Sequence, residues 1–148
     1  HRNSVVSLLL GAHNSAGMRD RMTVEPWPLK RDETERVETA DKALAMIDKA
    51  IRQKDQALAG AAVERYHELG GRSKPVFDLM LQFATSEDGA LHAEKFYRTV
   101  TEEFATTRKS LRWRQLVGLA RVSASEYGKK SPGYREACDL LNVRSKTG

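Results

Sequence analysis

The 148-residue chain reads as a single all-α domain, an irregular antiparallel bundle of six or seven helices. Three observations predict that class. Apolar residues recur at three- and four-residue spacing along almost the whole length, and Gly, Pro, Ser and Asp fall where helix ends belong. No alternating apolar run bounded by turn residues competes as a strand. Short connections at Gln53-Lys54, Gly70-Gly71, Thr85-Ser86 and Lys129-Lys130 then force successive helices to fold back on one another.

The first helix is expected over residues 4–21, with Val5, Leu9, Ala12 and Ala16 on one face, and it reads as a core helix. Its start, with Arg2, an apolar run over residues 5–12 and small residues at 14–17, loosely imitates a secretory signal, but Ser7 and Gly11 dilute the run. The chain opens on His1 rather than Met, so it reads as a processed product or a piece of a longer protein. Residues 22–32 hold Pro26 and Pro28, which cannot sit inside a helix, and form a linker that Trp27 pins to the body.

A second helix starts at Asp32, where Glu35 supplies capping-box spacing, and repeats Val37, Ala40, Leu44, Ile47 and Ile51 at helical intervals. Asp55 caps a third helix that runs to Leu69, where Gly70-Gly71 stops it. Pro75 opens a fourth, apolar nearly all round and therefore expected to be the most buried. Ser86 caps a fifth, with Phe96, Val100 and Phe104 in line beside Ala93 and Tyr97. Ser110 caps a sixth, carrying Trp113, Val117, Ala120, Ala124 and Tyr127 on one face and ending at Gly128. Ser131-Pro132 starts a last short helix through Leu141.

Composition excludes several function classes. Cys138 stands alone, so the chain forms no internal disulfide, and no cysteine-based zinc or iron–sulfur site unless a second chain contributes. Residues 5–12 are far shorter than the ~20 needed for a membrane span, which predicts no membrane partner and a cytoplasmic location. Neither a phosphate loop nor a nucleophile-elbow serine is present. Cys138 reads as a small buried side chain beside Ala137 and Leu140.

Each of the four histidines has a structural reading beside its functional one. His13 falls between Val6 and Leu9 on the apolar face of the first helix, as a metal ligand or as a core histidine bonded to a carbonyl. His92 opens the fifth helix one turn after Asp88, as a ligand or as that aspartate's partner. His67 is half a turn off its helix's apolar line and faces solvent, so Glu64-x-x-His67 reads as a surface pair. A di-iron bundle needs a second such pair, and there is none.

Charge is divided unevenly. Residues 108–148 hold ten Lys or Arg against three acidic residues, a local charge of +7, while the first 107 residues carry −2. Trp113 among Arg108, Arg112 and Arg114 admits a nucleic-acid reading, but the sixth helix is apolar on more than one side, so its arginines read as solvated flanks or partners of Glu102 and Glu103. Nucleic acid is therefore not the expected partner. A helical module that docks on another protein chain, or on its own copy, through Trp27 and the apolar first helix is the non-catalytic alternative.

Over residues 44–128, Leu44-Ala45-Met46-Ile47-Asp48-Lys49-Ala50, Val76-Phe77-Asp78-Leu79-Met80, Asp88-Gly89-Ala90-Leu91-His92 and Leu116-Val117-Gly118-Leu119-Ala120 occur in that order. The pattern resembles the questin oxidase-like proteins. The resemblance implies an all-helical domain, a non-haem oxygenase acting on an aromatic small-molecule substrate, and an iron held by histidine, with Ala12-His13-Asn14 matching a first-helix histidine of that family. The expected metal, iron or zinc, would be held by His13 and His92, with an oxygen ligand from Asp88, Glu94 or a modified Lys95. The family tends to place lysine directly after the helix-start histidine; here that position is Ala93, with Lys95 two residues on.

Overall fold

The fold was obtained as a computed structural model, which describes residues 2–19, 31–85, 91–129 and 133–143. The described residues form eight α-helices and no strand: α1 (Arg2–Arg19), α2 (Asp32–Glu35), α3 (Ala40–Arg52), α4 (Gln56–Glu68), α5 (Ser73–Ala84), α6 (Leu91–Phe104), α7 (Arg112–Glu126) and α8 (Tyr134–Leu140). The all-α class holds, with one more helix than the upper expectation. The proline linker with Trp27, the Ser86 cap and the Ser131-Pro132 cap lie outside the described residues.

The extra helix comes from a break in the expected second one. Asp32 does not cap; Arg31 takes that position, and the buried Thr34 hydroxyl donates back to the Arg31 carbonyl at 2.8 Å, closing α2 after one turn. Thr39 then adopts extended backbone and its hydroxyl accepts from the Lys42 N–H at 3.3 Å, which starts α3 afresh. Val37, between the two, is still buried, and its carbonyl accepts from Arg65 Nε at 2.9 Å, so the break is fastened to α4.

The ends of α4 form as expected. Asp55 Oδ1 accepts from the Leu58 N–H at 2.8 Å. At the other end the Gly71 N–H reaches the Tyr66 carbonyl (3.0 Å) and the Gly70 N–H the His67 carbonyl (2.9 Å), the two bonds of a Schellman stop, with Gly70 at φ +76°. The Tyr66 ring occupies the space where a Cβ on Gly71 would lie.

The core is centred on α4 and α7. Residues 59–63 of α4 are buried without interruption, because Ala59, Gly60, Ala61 and Ala62 let neighbouring backbones approach closely. Helix α7 packs on α3, α4, α5 and α6 and contributes Leu116, Val117, Leu119, Ala120, Ser123 and Ala124. Its start is not Ser110: Leu111 is the first flanking residue and makes no side-chain cap. Helix α5 is not the most buried. Val76, Met80, Phe83 and Ala84 form its inner line, while Leu81 is 42% exposed, because its other apolar residues fall off the four-residue line. In α6 the buried line runs through Ala93 and Val100, flanked by Tyr97 and Phe104, and leaves Phe96 47% exposed.

Helix α1 departs most from expectation. Every side chain described in it is exposed, including Leu8 (74%), Leu9 (65%) and Leu10 (57%), so it is not a core helix. Its apolar residues are spread around the whole circumference and select no inner face. Helix α8 buries Cys138, as expected, but leaves Leu140 and Leu141 exposed.

Candidate functional site

The side chains expected to hold metal lie on the surface where they are described. His13 is exposed on α1, which removes the reading of a core histidine. His92 is exposed in the first turn of α6; Ala93 turns inward there, so His92, Glu94 and Lys95 point away from the core. Asp88 lies outside the described residues. Among the described residues no three His, Cys, Asp or Glu side chains gather as a metal site.

The seam between α4 and α7 is where polar and aromatic groups converge. Trp113 stacks on the His67 imidazole, with ring centroids 4.3 Å apart and planes 16° from parallel, and meets Tyr66 at 6.1 Å and Phe104 edge-on at 6.5 Å. His67 is exposed, as its helical position predicts, but is held by a ring from the neighbouring helix. Partial desolvation lowers its pKa, opposed by Glu68. One turn earlier, Glu64 is half-buried and its Oε2 has no hydrogen-bond partner among the described residues. Burial raises its pKa, the Glu68 carboxylate adds to the rise, and the Arg114 charge opposes it. The pair that sequence spacing marks as a plain surface pair is thus half-buried at the carboxylate and stacked at the imidazole. Nothing in the local sequence announces this, since Trp113 arrives from 46 residues away.

The same packing decides what the basic section can do. Trp113 is engaged on three sides, and the Arg112 guanidinium lies 5.3 Å from the Phe104 ring centre and donates to the Thr107 carbonyl at 3.3 Å. Lys129 pairs with Glu126 at 3.0 Å. Glu102 is held by Arg98 at 2.9 Å rather than by an arginine of α7.

Among the described residues, two surfaces stand out as places where another molecule fits. One is α1, which exposes Val5, Val6, Leu8, Leu9 and Leu10. The other is an open groove of about 450 Å³ between α3 and α5, with Leu44, Pro75 and Leu79 at its floor and Asp41, Asp48 and Asp78 around it. The groove is not legible in the sequence, because it exists only once α3 and α5 are side by side. No helix among the described residues is long and apolar enough to cross a membrane. Comparisons with known protein families, with curated proteins and with solved structures found no match.

Proposed function

We propose that the chain is a protein-interaction module that engages a protein partner through α1. The observation that carries this reading is the exposure of five large apolar side chains, Val5, Val6, Leu8, Leu9 and Leu10, within six residues of one helix. Fully burying one such side chain is worth about 1.5–3 kcal/mol, so leaving five in water is a large unspent driving force for association. Exposed apolar clusters of this kind mark contact surfaces. With apolar residues on every side of α1, no rotation of the helix against its own body hides them all.

A photo-reactive side chain placed at position 9 is expected to cross-link the full chain to protein in its native extract or to its own copy, and one at the exposed position 109 is expected not to. Equal labelling from both positions would overturn the reading. The oxygenase function that the resemblance implies requires His13 and His92 at one metal. Stoichiometric iron or zinc in the purified chain, lost in His92→Ala, would replace the docking reading with that one.

A further inference from the structure

The chain carries both members of a complementary pair and does not bring them together. The groove between α3 and α5 has an apolar floor of Leu44, Pro75 and Leu79 with three carboxylates around it. Asp48 accepts from Arg52 Nε at 3.0 Å and Asp78 from Lys74 Nζ at 2.7 Å, each pair within its own helix. Asp41 makes no ion pair among the described residues, so the groove keeps a net negative edge at the start of α3.

Helix α1 has the opposite character. Residues 2–19 contain no acidic residue, include Arg2, His13 and Arg19, and carry the exposed apolar cluster described above. Its 18 residues span about 27 Å, enough to cross the roughly 18–20 Å over which α3 and α5 run. Within one copy, α1 is exposed along its described length while the groove stands open. We propose that the α3–α5 groove receives α1 of a second copy of this chain, and reciprocally, so that two copies close as a twofold-symmetric dimer. The exchange is isologous: each copy gives one helix and one groove, and no unsatisfied member is left to recruit a third. This proposal rests on the reading of α1 as a docking element and names its partner.

Sedimentation of the full chain across the micromolar range tests it, with circular dichroism confirming that each variant keeps its helicity. The wild type is expected to pass from monomer to dimer as concentration rises. Leu9→Glu on α1 and Ala45→Glu in the groove, both at exposed positions, are each expected to weaken the dimer at least about tenfold, because each destroys both copies of the contact. Mixing the two variants is expected to restore part of the association, since the intact α1 of one then meets the intact groove of the other while the second contact stays broken. A wild type that stays monomeric overturns the proposal, as does a mixture that associates no better than either variant alone. A dimer broken by Leu9→Glu but untouched by Ala45→Glu overturns the groove while leaving α1 docking in place. A dimer indifferent to Leu9→Glu overturns both.

Discussion

Glu64 and His67 show how a residue's neighbours, rather than its position on a helical wheel, set its chemistry. Partial desolvation beside α7 favours the neutral form of each, raising the carboxyl pKa and lowering the imidazole pKa. For His67 the unfolded chain binds a proton more readily than the folded one. The stability this imidazole contributes is therefore fully present above its ordinary value near 6.5 and is lost as pH falls through its lower folded value. His67→Gln is expected to flatten the part of a stability-against-pH curve lying between that lower value and the ordinary one near 6.5; an unchanged slope there would contradict the assignment. Glu64 works in the other direction. Its charged form is penalised in the fold, so the penalty grows as pH rises from the ordinary carboxylate value through the raised one. Glu64→Gln is expected to raise the melting temperature at neutral pH and to leave it nearly unchanged at acid pH. A lower melting temperature at neutral pH would show instead that attraction to Arg114 outweighs the cost of burial.

At the scale of the element, the decisive local feature is Thr39, which starts α3 afresh after α2 has ended at Glu35. Its hydroxyl satisfies one of the free N–H groups at the start of α3, a cap of a kind worth about 1 kcal/mol. Thr39→Ala is expected to cost roughly that much in denaturant melts, while Thr39→Ser is expected to be close to neutral; equal losses would place the effect in packing rather than in the cap. The apolar spacing of Val37, Ala40, Leu44, Ile47 and Ile51 is helical and all five contribute to the core or pack on it, yet the backbone between Val37 and Ala40 is not helical. Periodicity therefore located the buried residues and missed the break, because a Thr can cap as readily as it can ride within a helix. The reverse holds at Asp55 and at Gly70-Gly71, where an unambiguous cap and an unambiguous stop put both ends of α4 where they were expected. In α1 the spacing admitted a face at Val5 and Leu9, but Val6, Leu8 and Leu10 cover the other sides. Local sequence does not say whether such a helix has a neighbour to lie against. The groove, the His67–Trp113 stack and the burial of Glu64 all depend on which helices become neighbours, and that information is spread over the whole chain.

Across the whole molecule, stability and recognition are carried by different parts. Helices α3, α4 and α7 hold most of the side chains that are entirely removed from water, Ile47, Ile51, Val63, Leu116 and Leu119 among them, joined by Val76 and Met80 of α5. Aromatic contacts extend this core to its edges: Phe77 meets Phe104 at 5.2 Å, and Phe83 meets Tyr127 at 5.8 Å with the Arg52 guanidinium 5.2 Å from its ring. Leu116, in the second turn of α7, is fully buried on a helix that packs against four others. Leu116→Ala is therefore expected to cost about 2–5 kcal/mol, the range for a fully buried leucine whose cavity relaxes only partly. Leu9 loses little on truncation in a dilute chain, because its side chain is already 65% exposed and has no core to leave. The same Leu9→Ala change is expected to stay within about 0.5 kcal/mol in chemical melts at low concentration and to become destabilising as concentration rises, since a partner that binds only the folded chain adds to its stability by mass action. A large loss at low concentration would mean that α1 is packed against its own body. Stability of the Leu9→Ala chain matching the wild type at every concentration would mean that α1 meets no second copy.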